Sequence, residues 1–397
     1  MSLVRDGKKG AVIVGVGETT YYKRGTSPDS EFKLCLSAIL RACEDCGLDV
    51  RSIDGFASYA DDANTATRVA NALGLKELRF SNMVWGGGGG GGCAAVANAA
   101  AAVTAGYADY VVVYRAISQG TRRFGAGSTG GAGVSEISGP RAFTVPYGLI
   151  SPAQAFAMRV VRFMHDYGVK QEALRAISLA SYFHAQSNPQ ALMYGRPLTE
   201  QAYDESRWIV EPFHLYDCCM ENDGGAAVIV TSAERSRDLK MRPAHILASA
   251  QGADSRKALE SLHNDLSYAS ANFRTVSDRL YEQSGVTPAE IDVVQVYENF
   301  TGGVLMALIE HGFCPPQDAN EFFQLENLIA PDGELPINTS GGNLAHSYMH
   351  GLELIIEAAR QIRGESTSQI KDANLSMVIS SPMSSPVSNL LLTGAEL

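Results

Sequence analysis

The stretch Arg79–Tyr114, RFSNMVWGGGGGGGCAAVANAAAAVTAGYADYVVVY, constrains the fold of this chain more than any other. A short apolar run, Met83–Trp85, leads into seven consecutive glycines, Gly86 to Gly92. Cys93–Ala105 is rich in alanine, Gly106 closes it, and the apolar, β-branched run Tyr110–Tyr114 follows. The order is strand, glycine turn, helix, strand. Alanine combines the highest helix propensity with almost no side chain, so this helix suits a packed interior. A glycine run in front of a buried helix lets the backbone bend sharply and lets another group approach it closely.

The flanking sequence repeats this alternation. Gly10–Gly15 reads as a buried strand. Phe32–Cys46 carries Leu36, Ile39, Leu40 and Cys43 at helical spacing, and Gly47 ends it. Ile53–Tyr59 reads as a strand and Asn64–Leu73 as a helix. Strands and helices that alternate in this way predict a largely parallel sheet with both faces covered. Ile117–Pro212 breaks the pattern with a glycine-rich loop (Gly120–Gly133), helices near Pro152–Tyr167 and Gln171–Gln186, and a polar loop, Ser187–Leu198. It carries no strand signal, so an inserted, mostly helical lobe is expected. Glu221–Ser232 returns to strand, and Ala233–Asp238 reads as a linker edge.

After Arg242 the pattern begins again. HILASAQG (His245–Gly252) matches GAVIVGVG, and the helix Phe273–Ser284 ends at Gly285 as the first ended at Gly47. VTPAEIDVVQVYE parallels LDVRSIDGFASYA. LPINTSGGNLAHSYMHGLELIIEAARQIRG repeats strand, glycine turn and long helix, and Leu375–Ser380 repeats the closing strand. An α/β fold of two duplicated β-α-β-α-β halves follows, residues 1–238 and 239–397, with the lobe inserted in the first at 117–212. A site is expected where helix N-termini of both halves converge.

Composition excludes several classes. The net charge is −11 and no basic run tracks a phosphate backbone, which argues against a nucleic-acid partner. No apolar run reaches the ~18 residues of a membrane span. The basic-then-apolar start MSLVRDGKKGAVIVGVG is too short and strand-like for a signal peptide. Seven cysteines, an odd number in a long chain, fit reduced thiols in a cytoplasm. Cys43-Glu44-Asp45-Cys46 has no second pair to complete a zinc site, and Cys218-Cys219 lies in an apolar context. No metal site is expected.

The duplicated layout, DGGAAVIVTSAER at the end of the first half, and Gly341-Gly342-Asn343 opening the last helix together resemble the thiolase superfamily over nearly the whole chain. The resemblance is closest to its sterol-carrier/lipid-transfer branch, and there to the steroid side-chain-cleaving aldolases. It implies a layered α-β-α-β-α arrangement. It also exposes four departures from thiolase chemistry. Counting back from Ala105-Gly106, the nucleophilic cysteine position falls on Gly89, while Cys93 lies about one helical turn further in, where it reads as core. In Ala345-His346-Ser347-Tyr348-Met349-His350-Gly351, anchoring on Gly351 puts Tyr348 at the position of the family's oxyanion-hole histidine, with His346 and His350 on either side. In Tyr297-Glu298-Asn299-Phe300, Tyr297 takes the Asn/His position supporting the same hole, and Glu298 reads as structural. The C-terminal loop Ser380–Pro386 lacks the family's second cysteine.

Without a nucleophile, Claisen chemistry through an acyl-enzyme is unavailable by the usual route. A retro-aldol cleavage needs only a base, an enolate hole and an acid, which tyrosines can supply. The resemblance implies a lyase that cleaves a β-hydroxyacyl-CoA, such as a 17-hydroxy steroid with a CoA-thioester side chain, to a ketone and propionyl-CoA. Tyr297 and Tyr348 are the expected catalytic residues, with His350 and His346 as possible proton carriers or substrate contacts. Gly89 is expected to leave an opening for a bulky substrate over the turn. The resemblance further implies a homodimer, a small partner subunit with an oligonucleotide/oligosaccharide-fold domain (domain of unknown function 35 type), a zinc ion only in that partner, and no cofactor on this chain. Arg122, Arg123 and Arg141 are candidate CoA contacts. Two other readings stay open: a lipid or acyl-CoA carrier with a degenerate site, and a thiolase or acyltransferase using Cys93.

Overall fold

Two sets of strands with the same internal order meet edge to edge in the computed structural model, which describes residues 10–86, 88–120, 137–254 and 268–396. In the first set Ala11–Glu18 is followed across the sheet by Asn222–Ser232, Val111–Ile117, Gly55–Tyr59 and Phe80–Val84. In the second, Ala244–Gly252 is followed by Val387–Thr393, Leu375–Ser380 and Val293–Val296. The fifth position of this set is reduced to one parallel bridge, Val294 with Ile337. The sets join through only two residue pairs, Val12 with His245 and Ile13 with Ala244.

The expectation of a largely parallel sheet needs correction. In each half the strand that closes the unit lies antiparallel to both neighbours: Asn222–Ser232 in the first, Val387–Thr393 in the second. The second of these follows Leu375–Ser380 after only six residues, too few for the crossover that a parallel neighbour requires. Parallel pairing is confined to the outer strands.

Two helices fill the space between the halves. Gly91–Thr104 packs on strands of both, including Gly55–Tyr59 and Val387–Thr393, and Leu352–Arg363 lies in the same apolar core. Gly91 shows why the first helix carries so little bulk: a Cβ there would lie 2.6 Å from Cβ of Tyr59. Glu31–Cys46 covers the outer face of the first half in a second core. A third core packs Arg274–Ser284, Thr301–Glu310 and the lobe helices Pro152–Tyr167 and Gln171–Ala185 against the second half. Helix, sheet, helix, sheet and helix thus follow one another through the molecule, as the resemblance implied.

Three local expectations change. The lobe also contains a small antiparallel pair, Trp208–Val210 with Phe213–His214. Ala233–Ser236 is a short helix rather than a linker. The last helix does not open at Gly342: a five-residue turn, Gly342–His346, and a further irregular stretch precede its start at Leu352. Most of Gly120–Gly133 lies outside the described residues, as do Arg122, Arg123 and the side chain of Arg141. No described helix is long and apolar enough to cross a membrane.

Candidate active site

Gly89 lies in a tight turn, Gly88–Gly90, directly before the helix Gly91–Thr104. A Cβ at 89 would stand 2.3 Å from Cε2 and 2.5 Å from Cζ of Tyr297. From the other side, a Cβ at Gly351 would stand 2.8 Å from Cδ2 of the same ring. The Tyr297 ring is therefore held between two glycines and occupies the place of a side chain at 89. The opening expected over Gly89 is closed: the volume given up there belongs to Tyr297.

Tyr297 directly follows the strand Val293–Val296, and its N–H donates to Ile379 O at 2.9 Å. Tyr348 follows the Gly342–His346 turn, and its N–H donates to Asn222 Oδ1 at 2.7 Å. A reciprocal pair ties the two segments together. Glu298 N–H donates to Asn343 Oδ1, and Asn343 N–H donates to Glu298 Oε2, each at 2.8 Å. Ser181 of the lobe donates to the other Glu298 oxygen. Burial nonetheless pushes the Glu298 carboxyl up to about 7, against the opposing pull of those hydrogen bonds. Its structural reading holds.

These constraints bring the two phenols together. The Tyr297 hydroxyl donates to the Tyr348 hydroxyl at 2.8 Å, with ring centroids 5.9 Å apart. Both rings are buried. Burial pushes both phenols well above their usual range, so at neutral pH each is a neutral hydrogen-bond donor. The hydrogen bond between them adds to that rise at Tyr297 and opposes it at Tyr348.

The two histidines part company. The His350 ring stands edge-on to Tyr348, centroids 4.9 Å apart and planes at 88°, on a backbone with φ of +52°. That left-handed conformation is uncommon outside glycine and fixes where the ring can go. His346 is turned into a separate buried cluster. Its Nδ1 lies 3.1 Å from Ser340 Oγ, its Nε2 3.7 Å from Glu18 Oε1, and its ring is edge-on to Tyr21. Burial holds its pKa down, partly countered by Glu18, whose other oxygen is 2.6 Å from Arg360.

Cys93 is fully buried in the first turn of its helix, with Sγ 3.0 Å from Ser380 Oγ, and burial pushes its thiol up to about 12. The helix N-terminus does not activate it. The first-turn N–H groups of Cys93 and Ala94 donate to Ser380 and Ser388, whose strands belong to the other half.

Sequence reasoning passed over several neighbours. Cys219 is buried in the core that holds Tyr297 and Tyr348 and interacts electrostatically with both. Tyr59 donates to the carbonyls of Met349 and His350 at 3.2 and 3.1 Å, pinning the backbone between the tyrosine and the helix. Arg115 lies fully buried in mid-strand, where its Nη1 donates to Asp62 at 2.8 Å and its Nε donates to His350 Nδ1 at 3.1 Å. A cation inside the run VVVYRAI was the signal, since a buried charge needs a partner. Among the described residues no group of three or more His, Cys, Asp or Glu side chains is arranged to hold a metal ion.

Comparison with known proteins agrees with this architecture. Residues 253–387 match the family described as thiolase C-terminal domain-like. The 17-hydroxy-3-oxo-4-pregnene-20-carboxyl-CoA lyase of Mycobacterium tuberculosis is 39% identical over 386 residues, covering 96% of this chain and 98% of its own. The steroid side-chain-cleaving aldolase of Thermomonospora curvata is 39% identical over 390 residues, covering 97% of this chain and 98% of its own. A solved Ltp2-ChsH2(DUF35) aldolase superposes with a TM-score of 0.88 at 37% identity, covering 98% of both chains. Human mitochondrial 3-ketoacyl-CoA thiolase, at 12% identity and a TM-score of 0.70 over 97% of this chain and 98% of its own, shares the fold. With identity of this order sustained along nearly its whole length, the chain belongs to the steroid side-chain-cleaving aldolases of the thiolase superfamily.

Proposed function

We propose that this protein is a carbon–carbon lyase that cleaves a β-hydroxyacyl-CoA by a retro-aldol reaction, with Tyr297 and Tyr348 as its proton-handling pair. The substrate we assign is a 17-hydroxy steroid whose side chain ends in a CoA thioester, giving a 17-keto steroid and propionyl-CoA. The observation that carries the reading is the hydroxyl–hydroxyl contact of 2.8 Å beside a turn that cannot hold a nucleophile while Tyr297 is present.

The chemistry balances without oxidant or cofactor. One phenol oxygen of the pair takes the proton of the substrate β-hydroxyl, passing its own proton along the pair. The O–H electrons form the ketone, the Cα–Cβ bond breaks, and its electron pair moves through Cα onto the thioester oxygen. A phenol O–H stabilises that enolate, and the second phenol, having received the relayed proton, delivers its own to Cα, so both phenols end neutral. A hydrogen-bond donor fixed where charge develops contributes ~10²–10³-fold, and a positioned acid or base ~10²–10⁴-fold.

We further infer a homodimer and, on each subunit, a small partner with a domain of unknown function 35. The partner is suggested by the Ltp2-ChsH2(DUF35) aldolase that this chain resembles. The homodimer is supported by the exposed edge strand Phe80–Val84 and by Trp85 beside it, which is 80% exposed. An unpaired strand edge is a ready pairing template. The deciding experiment is release of ketone and acyl-CoA from a tertiary β-hydroxyacyl-CoA with the partner present, and its loss in Tyr297→Phe and Tyr348→Phe. Binding without cleavage across a range of such thioesters would favour a carrier instead.

A further inference from the structure

A buried guanidinium reaches the edge of the tyrosine pair. Arg115 belongs to the strand Val111–Ile117, every residue of which is buried. Its side chain spans two partners, Asp62 Oδ2 at 2.8 Å and His350 Nδ1 at 3.1 Å. The carboxylate is itself held: Asp62 accepts from the N–H of Ala116 at 3.2 Å and of Asn64 at 2.7 Å, and from Asn64 Nδ2 at 2.9 Å. The imidazole is aimed by the left-handed backbone of His350 and by Tyr59, which donates to its carbonyl.

We propose that Arg115, anchored by Asp62, is a positioning residue that locks His350 as a neutral imidazole with its hydrogen on Nε2, so that His350 serves the tyrosine pair as a hydrogen-bond donor and never as a base. The proposal rests on the lyase reading for what the pair does, but the state of His350 follows from geometry alone.

Donors and lone pairs decide the state of the ring. A guanidinium carries only donors and keeps its proton throughout the accessible pH range. The ring nitrogen that accepts from it must therefore present a lone pair. In a neutral imidazole the hydrogen then sits on the other nitrogen, Nε2. Protonating Nδ1 would turn a donor toward a donor and set a second cation against Arg115 in a buried site, where like charges repel strongly. Both lone-pair options are thus spent: Nδ1 on Arg115, Nε2 on its own hydrogen. His350 has nothing left with which to take a substrate proton, and that task falls to a phenol of the pair. The titratable groups around this corner include, among the described residues, Tyr59, Tyr348, Tyr297, Cys219 and, from the following helix, Glu353. The guanidinium meets Asp62 through Nη1 and His350 through Nε, so carboxylate and imidazole are held by different nitrogens of the same cation.

The test uses the full chain with histidine labelled at the ring nitrogens and Cε1, His350 being assigned by difference against His350→Gln. The expected wild-type signal shows one pyridine-like and one pyrrole-like nitrogen and does not move between about pH 5 and about pH 9, where an ordinary histidine titrates near ~6.5. Titration of His350 inside that window, or a pyrrole-like Nδ1, would overturn the proposal. A second arm follows kcat/KM against pH. Arg115→Gln should add an acid-side ionisation near ~6.5 that the parent lacks, with activity falling tenfold or more below it, and Arg115→Lys should restore the flat profile. An unchanged profile in a folded Arg115→Gln protein would also overturn it. If Arg115→Gln does not fold, the wild-type spectrum decides alone. If no lyase activity is found but His350 stays neutral, the lyase reading has failed and the positioning has not.

Discussion

The two glycine turns of this molecule occupy equivalent places in the two halves and have become opposites. In the first, the turn Gly88–Gly90 leads straight into the helix at Gly91 and presents no side chain at the centre of the molecule. In the second, Gly341-Gly342 is followed by nine residues before the helix begins at Leu352, and those residues carry Asn343, His346, Tyr348 and His350. Thiolase chemistry needs a nucleophile on the first turn. Here the first turn has been emptied to receive a ring from the second half, and the second turn has been elaborated to hold its hydroxyl. If the proposed tyrosine pair carries the reaction, a duplicated fold has placed its chemistry on the half opposite the one that thiolase chemistry uses.

The strongest way to break that comparison is to silence the second half. Tyr297→Phe and Tyr348→Phe should each lower turnover by ~10²–10⁴-fold while leaving thermal stability within a few degrees of the parent. Near-full activity in either variant would return the chemistry to the first half. Next in size, Gly89→Cys should not restore a nucleophile. Its Cβ collides with the Tyr297 ring, so it should cost ~1–3 kcal/mol and lower activity as far as Tyr297→Phe does. Adding Tyr297→Asn should recover the stability but not the lyase activity. Independent, additive losses in denaturant melts would separate Gly89 from Tyr297 and end the idea of one shared volume.

The acids behind the second turn give a pH signature. Burial pushes Glu353, which accepts from Asn343, up to about 8. A carboxyl raised on folding contributes stability that is fully present below its unfolded value, near ~4.5, and lost as pH rises through its folded one. Melting temperature should therefore fall between about pH 5 and pH 8, and Glu353→Gln should flatten that slope. An identical slope in the variant would show that the fall arises elsewhere. The smallest effect belongs to the first turn. Cys93→Ala should change turnover less than about twofold and cost ~1 kcal/mol, and iodoacetamide should leave native Cys93 unmodified.

Much of this was legible in the sequence. Period and punctuation gave the repeat, the lobe helices and the ends of helices at Gly47 and Gly285, because each depends on local chemistry. Tyr297 and Tyr348 could be placed because each stands next to an anchor, Phe300 or Gly351. What stayed hidden depends on contacts between distant segments. The antiparallel closing strand of each half is a matter of how the chain returns, which periodicity does not record. Nothing near Gly89 in sequence says that residue 297 fills its space. His346 and His350 look alike in the chain, four residues apart. One faces Glu18 and the other Arg115, which belong to two different strands of the first half. The start of the last helix was misread because Gly341-Gly342 is a good helix opening in isolation. Glu298 instead ties Asn343 and Leu344 into a separate turn.

The ring between Gly89 and Gly351 also sets an order in time. A chain with any side chain at 89 has no room for tyrosine at 297, so along a path of single replacements the glycine must come first and the tyrosine second. The intermediate carries a void rather than a clash, which a large core tolerates better. Travelling back, the tyrosine must leave before a cysteine can return, and at that moment the molecule has neither a thiol at 89 nor the proposed tyrosine pair. The site behaves as a ratchet: once closed on the tyrosine, no single replacement leads back to the older chemistry.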